Sequence, residues 1–125
     1  MWLFPVLACA DPPPTWHAEV SPLLQEHCLR CHAEGGQGPG DFSSLEQTRE
    51  LAPVILDAVE DGRMPPPTTD PDCRDFEGSE FMVLDEGEQA LLRQWVAADM
   101  PEGDPDDAVI VEAPSVQLDD PDLEL

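Results

Sequence analysis

The sequence predicts a small, mainly α-helical protein, and three observations lead to this fold class. Three stretches carry apolar residues at helical spacing, and each follows a side chain that favours the start of a helix. No alternation of apolar and polar residues is long enough to predict a buried strand. The chain has 125 residues, enough for one domain at most, and its 15 prolines and eight glycines indicate long loops. We therefore expect about three to four helices in one domain.

The first 15 residues are interpreted as an export segment followed by a proline-rich tether. Trp2–Ala8 is an apolar run far shorter than the roughly 20 residues of a membrane-spanning helix. Val6–Cys9 is similar to the motif that precedes a lipid-modified cysteine, although no basic residue stands before it. Asp11–Pro14 has the composition of a tether. The pattern predicts a periplasmic or otherwise extracytoplasmic protein with a lipid anchor at Cys9; the alternative is a merely apolar N-terminus.

The first helix is predicted from Pro22 to about Cys31. Ser21 is a good helix cap, and proline is favoured at the first helical position that follows a cap. A glycine-rich loop from Gly35 to Gly40 comes next in the chain.

The second helical stretch is predicted to begin at Ser43 and to reach about Glu60. Ser43 and Glu46 have the spacing of a capping box, and Gly62 is a suitable terminator. Pro53 is expected to break the stretch into two pieces, because proline lacks a backbone donor and collides with the preceding turn. The apolar side is formed by Leu51, Val54, Ile55, Ala58 and Val59.

The third helix is predicted to begin at Asp85, which forms a capping box with Glu88, and to end near Met100. Its apolar stripe consists of Leu91, Leu92, Trp95 and Val96. Further along, Val109–Val111 is a short apolar patch that could pair as a strand.

The chain is strongly acidic, and its charge is unevenly distributed. It carries 28 acidic residues against five arginines, a net charge of -23, and such a field repels phosphate backbones and so excludes direct nucleic-acid binding. The segment Trp16–Ala98 has a balance of -12, whereas Asp99–Leu125 has a balance of -10 and no base. We predict a folded domain at 16–105 and a disordered acidic tail, or a truncated linker, at 106–125.

The segment Cys28-Leu29-Arg30-Cys31-His32 is a CxxCH motif, the sequence that attaches c-type haem. On a helical turn, the first, fourth and fifth positions share a face, so two thiols and one imidazole can meet one planar group. Cys28 and Cys31 are therefore predicted to bind one haem through thioethers, and His32 to be the proximal iron ligand. A redox dithiol is disfavoured, because that site belongs to a βαβ unit. Zinc held by Cys28, Cys31, His32 and Cys73 remains the alternative.

The second iron ligand is predicted to be Met64. This residue stands before three consecutive prolines, which restrict the backbone and would hold a thioether in place. Met82 is the rival, while Met100, at a helix end, is expected to pack in the core. His17 and His27 are also alternatives in principle, but His27 is expected to point off the haem face and His17 to lie on the surface.

These features together resemble the small bacterial cytochrome c domains over roughly Trp16 to Pro105. The shared features are the CxxCH motif, the glycine-rich loop with Pro39, the Arg63-Met64-Pro65-Pro66 segment and a last helix with Trp95. More narrowly, Pro71-Asp72-Cys73 and the ending Ala97–Asp104 are similar to a subfamily in which the cytochrome precedes a copper-dependent monooxygenase-like domain. This chain stops just past the cytochrome region, so no oxygenase chemistry is expected of it.

The resemblance implies a cytochrome c-like fold in which the first and last helices cross at one haem edge. It also implies that the Pro39 carbonyl accepts a hydrogen bond from the second ring nitrogen of His32, which orients the ring; an ordinary turn residue is the alternative for Pro39. Arg63 is the arginine nearest in sequence to the presumed ligand and is expected to offset a haem propionate. The remaining arginines, Arg30, Arg49, Arg74 and Arg93, are expected to be solvated surface residues.

The sequence therefore predicts an electron-transfer protein rather than an enzyme, one that could deliver electrons to an oxidoreductase. Its redox partner should carry a positive patch, because the domain is acidic. A peroxidase-like haem enzyme with an open distal site and a zinc-binding structural module are the alternatives. Cys9 and Cys73, if both remain in the mature chain, could form a disulfide; if Cys9 is lipidated, Cys73 is a free thiol.

Overall fold

The computed structural model describes residues 11–66 and 78–111, and this part of the chain is helical without strands. Its α-helices are α1 (Ser21–His27), α2 (Leu45–Glu60) and α3 (Glu86–Ala97). A π-helical turn at Trp16–Val20 and 3₁₀ turns at Ser79–Met82 and Pro105–Asp107 complete the structure. The mainly α class is confirmed. The predictions for Cys9, Cys73, Arg74 and the tail from residue 112 onward lie outside the described residues.

The turn at Trp16–Val20, which the sequence pattern did not reveal, joins the start of the domain to its end. The amide of Trp16 donates to the Pro101 carbonyl over 2.9 Å, and that of His17 donates to Glu102 over 3.1 Å. The Trp16 ring packs on Trp95 with the ring centroids 6.0 Å apart, and the Trp95 indole nitrogen donates to the same Pro101 carbonyl. The resemblance implied that the first and last helices contact each other. In the structure, the Trp16–Val20 turn makes this contact with the last helix, α3.

Helix α1 ends at His27, four residues before the predicted end at Cys31. The prediction of its cap was also wrong, because the π-helical turn runs directly into Ser21, whose backbone is already helical. The hydroxyl of Ser21 instead accepts from the Gln25 side chain over 3.0 Å. The CxxCH motif thus begins where the helix ends and occupies the turn that follows it.

Helix α2 begins one residue later than predicted and runs without a break. Its cap is Ser44, whose hydroxyl accepts from the Gln47 amide; Ser43 is instead held by the Asp41 carboxylate. Pro53 lies inside the continuous helix, so the expected break does not occur. An interior proline costs about 3 kcal/mol, but this ring is exposed, while Ala52, Ala58 and Val59 of the same helix are buried. The apolar packing of α2 therefore outweighs the local cost.

Helix α3 has the predicted capping box: the Asp85 carboxylate accepts from the Glu88 amide, and the Glu88 carboxylate accepts from the Asp85 amide. It packs against α2 and buries Trp95 almost completely. Together with the N-terminal turn and α1, these helices enclose one core, formed by Trp16, Val20, Leu23, Leu24, Phe42, Ala52, Val59, Leu84, Leu92 and Trp95.

The turn after α3 is held by an arginine that the sequence analysis placed on the surface. Asp99 and Met100 both have positive φ angles, of 64° and 55°, which side chains rarely adopt. The guanidinium of Arg49 reaches from α2 and donates twice to the Met100 carbonyl, over 3.1 and 2.8 Å. Arg49 is therefore a structural residue, and the prediction of a solvated side chain was wrong for it.

The Val109–Val111 patch does not form a strand. It lies along α1, where the side-chain amide of Gln25 donates to the Val109 carbonyl over 3.3 Å and accepts from the Val111 amide over 3.0 Å. Within the described residues, no helix is both long and apolar enough to cross a membrane.

Candidate functional site

A cavity of about 520 Å³ lies between the CxxCH turn, the inner side of α2 and the loop that follows α2. Its wall is mostly apolar, and cavities of this kind bind small molecules or cofactors. The lining includes side chains from every part of the predicted site: Cys28, Cys31, His32, Pro39, Arg63, Met64 and Met82. The structure thus brings the sequence-predicted residues to one place.

The CxxCH turn is shaped by the Cys28 carbonyl. It accepts from the amides of both Cys31 and His32, over 3.1 and 2.9 Å, which curls the motif into one turn. Burial, together with the adjacent Cys31, raises the pKa of the Cys28 thiol to about 12. In the absence of a bound metal the thiol is therefore protonated at neutral pH, unlike the thiolate of a reactive redox dithiol.

The ring of His32 is held on three sides. Its Nδ1 atom donates to the Pro39 carbonyl over 2.8 Å, which is the hydrogen bond that the resemblance implied. One face stacks on Phe42, with the ring centroids 4.4 Å apart and the planes within 6° of parallel. A Cβ atom at Gly38 would lie only 2.6 Å from the ring, so the loop approaches the imidazole as closely as glycine allows. Because Nδ1 carries the proton, the lone pair is on Nε2, the state that binds a metal.

The two candidate methionines both line the cavity. The loop that carries Met64 is anchored to the end of α2, because the amides of Arg63 and Met64 both donate to the Ala58 carbonyl, over 2.8 and 3.1 Å. Met64 is 41% exposed and so lies at the cavity rim, and Met82 comes from the 3₁₀ turn before α3. The choice between the two remains a prediction. Met100 packs against the core, as expected.

Arg63 lines the cavity but is already paired. Its guanidinium contacts Asp57 at 2.6 Å and Asp61 at 3.4 Å, and its side chain is 55% exposed. Arg30, expected only to be a surface residue, is also exposed and lines the same cavity. Two arginines therefore line the site rather than one, and Arg63 is the one that already pairs with carboxylates.

The two other histidines are engaged elsewhere. His17 lies 3.4 Å from the Glu102 carboxylate, on the turn that packs against α3, and its side chain is partly buried. His27 lines the cavity, but its Nδ1 lies 3.0 Å from the Phe81 carbonyl and its Nε2 lies 3.1 Å from a Glu88 oxygen. Both ring nitrogens of His27 thus face oxygen atoms of Phe81 and Glu88, so His27 is not placed as a ligand to an iron beside His32.

The zinc alternative fits the geometry poorly. Among the described residues, the donor atoms of Cys28, Cys31 and His32 do not form a cluster within 4.8 Å of one another; the group that does is Glu26, His27 and Glu88. Cys73, the fourth residue of that hypothesis, lies outside the described part of the chain.

Several lining residues were not singled out from the sequence. Phe42 was the most important omission, since a lone aromatic three residues after Pro39 carries no sequence signal for a stack on His32. The remaining apolar wall is contributed mainly by α2, with Leu51, Val54, Ile55, Ala58, Val59 and Phe81. Helical spacing predicted this apolar side of α2 but did not indicate that it lines a cavity.

Comparisons of the chain with protein-family models, with curated proteins and with solved structures gave no match.

Proposed function

We propose that the chain is a c-type cytochrome domain that transfers electrons. The observation that carries the proposal is the position of the CxxCH motif: Cys28, Cys31 and His32 lie on one turn at the wall of an apolar cavity. Two thiols and an imidazole whose Nε2 carries the lone pair are the groups that a c-type haem site needs. The close approach of Gly38 to the His32 ring also fits an imidazole that must keep one orientation.

Within this proposal, each residue has a defined task. Cys28 and Cys31 would bind the haem vinyl groups through thioether bonds, and His32 Nε2 would bind the iron. Met64 would supply the second axial ligand, with Met82 as the rival. When bound, haem c supplies an iron centre that takes up and releases one electron.

The surrounding residues support that chemistry in physical terms. The hydrogen bond to Pro39 fixes the tautomer of His32 and increases its strength as a ligand. The apolar wall from α2 would pack against the bound haem and exclude water from it. Arg30 and Arg63 are the cations at the cavity that would offset negatively charged propionates.

The proposal extends to location and partners. An exported, periplasmic or extracytoplasmic protein with a lipid anchor at Cys9 would suit covalent haem attachment, and the acidic domain would suit a redox partner with a positive patch. In that setting the domain could deliver electrons to an oxidoreductase.

The test is to export the full chain together with the haem-attachment machinery and to record the spectrum of the reduced protein. We expect sharp α and β bands and a covalent mass increase of one haem. The double variant Cys28→Ser, Cys31→Ser should abolish both. Cys9→Ser with Cys73→Ser is the matched control and should retain both, because these thiols lie outside the motif.

The same preparation tests the alternatives. A colourless protein with bound zinc would replace the proposal with the zinc module. A spectrum that changes on addition of carbon monoxide or azide, together with turnover of peroxide, would indicate an open distal site and the peroxidase-like enzyme.

A further inference from the structure

The side chains of Glu26, His27 and Glu88 form a cluster at the junction of α1, α3 and the Ser79–Met82 turn. One donor atom from each residue lies within 4.8 Å of the other two. The proposed haem chemistry does not use this cluster.

The hydrogen-bonding geometry of His27 requires a cation in this cluster. The Phe81 backbone oxygen, 3.0 Å from Nδ1, can only accept, so Nδ1 carries a proton. The lone pair of a neutral ring is then on Nε2, which faces a carboxylate oxygen of Glu88 at 3.1 Å. Two acceptors in contact repel each other, and the His27 side chain is only 3% exposed, so bulk water cannot relieve the contact. Either a proton or a metal ion must lie between them.

The carboxylates favour a metal ion over a proton. Glu88 is oriented by its other oxygen, which accepts from the Asp85 amide over 2.8 Å. Glu26 is partly buried, and its side-chain carboxylate forms no hydrogen bond or ion pair with the rest of the described chain. A proton on His27 would leave this group of two carboxylates with a net charge of about −1, whereas a divalent ion beside a neutral imidazole would balance it.

We propose that Glu26, His27 and Glu88 bind a divalent transition-metal ion of the Zn²⁺ or Cu²⁺ class. One imidazole and two carboxylates are suitable ligands for such ions, and the fourth position would be taken by water. The hydrogen bonds around the ligands are also those of a metal site. Metal-binding imidazoles commonly donate their second N–H to a carbonyl, as His27 does to Phe81. Metal-binding carboxylates are themselves hydrogen-bonded, as Glu88 is to the Asp85 amide. Bound there, the ion ties α1 to α3 beside the cavity wall to which His27 and Phe81 contribute.

The experiment is a calorimetric titration of the purified full chain with Zn²⁺, alongside three variants. We expect a zinc-binding component whose affinity falls about tenfold or more in Glu26→Gln and in Glu88→Gln, apart from any binding at Cys28 and Cys31, which these variants leave unchanged. Glu88→Gln keeps a side-chain oxygen for the capping box and so separates metal binding from helix stability. Glu50→Gln, an exposed carboxylate on α2, is the matched control and should bind as the parent does.

A second readout identifies the imidazole. Electron paramagnetic resonance of the Cu²⁺ complex should show coupling to one nitrogen in the parent chain. Equal Zn²⁺ affinity in all four proteins would mean adventitious binding to acidic side chains, and a Cu²⁺ signal without nitrogen coupling would mean that His27 holds a proton instead. Either result overturns the proposal. The haem spectrum is recorded separately, so the outcome for the cytochrome proposal is read independently.

Discussion

The imidazole of His32 and the ring of Phe42 lie stacked 4.4 Å apart and within 6° of parallel. Phe42 is itself buried, and its amide donates to the His32 carbonyl over 2.9 Å, so backbone and side chain fix the same pair. Together with the Pro39 hydrogen bond, the stack restrains the plane of the histidine ring. A ligand held in this way loses little freedom when it binds a metal.

Replacing Phe42 should therefore affect both stability and the ligand. Phe42→Leu removes the stacking partner while it keeps an apolar side chain, and we expect a loss of about 1 kcal/mol in the free energy of unfolding. Denaturant titration measures this. In the haem-loaded protein, the paramagnetic NMR shifts of the His32 ring should also change; Phe42→Trp, which retains an aromatic face, should preserve them better. Unchanged shifts in both variants would show that the stack does not orient the ring.

Gly38→Ala should displace the His32 ring, because the added Cβ would lie 2.6 Å from two ring atoms. We expect a destabilisation of about 1–3 kcal/mol and weaker haem ligation, seen in the spectrum and in a lower unfolding midpoint. Gly35→Ala is the comparison: Gly35 has a φ of +76° and nothing within 4 Å of an added Cβ, so its cost comes from backbone strain alone and should leave the haem spectrum unchanged. An unchanged spectrum and unfolding midpoint in Gly38→Ala would show that the loop does not restrain the His32 ring.

In the proposed cytochrome, Met64→Ala should leave haem attached, because Cys28 and Cys31 would make the thioether bonds. We expect the weak sulfur band at the red edge of the oxidised spectrum to disappear and the reduction potential to fall, since a methionine ligand raises it. Met82→Ala is the comparison variant, because Met82 lines the same cavity. Loss of the band in Met82→Ala alone would transfer the ligand assignment to Met82.

Arg49→Gln should destabilise the fold through the turn after α3. It removes a charged donor from the Met100 carbonyl, a kind of hydrogen bond that contributes about 1.5–3 kcal/mol. Arg93→Gln provides the comparison, because Arg93 pairs with Glu60 where both side chains are about half exposed, and such pairs contribute at most about 1 kcal/mol. Equal unfolding free energies for the two variants would argue against a structural role of Arg49.

Electron exchange with a basic redox protein should slow as salt rises. The segment Trp16–Ala98 carries a balance of -12, and attraction between opposite charges is screened over about 10 Å at 0.1 M salt but over about 30 Å at 0.01 M. Stopped-flow rates against a basic and a neutral partner measure the difference. The same flat salt dependence for both partners would place the contact at an apolar rim instead.

The sequence predicted which segments form helices better than it predicted the residues at which these helices begin and end. The capping box of Asp85 and Glu88 was confirmed because it is a local interaction between close neighbours. Pro53 was misjudged because its cost is offset by packing against distant residues, which local sequence does not reveal. The turn at Trp16–Val20 was missed for the same reason, since its partners are at Pro101 and Glu102.

The residues of the candidate site show the same difference between local patterns and distant contacts. The CxxCH spacing identified Cys28, Cys31 and His32 directly, and the Pro39 hydrogen bond followed from the resemblance. Phe42, the ring that stacks on His32, carries no motif and could only be found from the three-dimensional arrangement. The Glu26, His27 and Glu88 cluster likewise joins two helices that are far apart in the chain.

The Pro101 carbonyl accepts from both the Trp16 amide and the Trp95 indole, and we expect its contact with Trp16 to form late in folding. Bringing these distant residues together carries the entropy cost of a long loop, which only the assembled core can offset. The amide hydrogen of Trp16 should therefore exchange with solvent only when the whole domain opens. Its exchange rate becomes a direct measure of global stability, whereas amides in the exposed loop around Gly35 report only local opening.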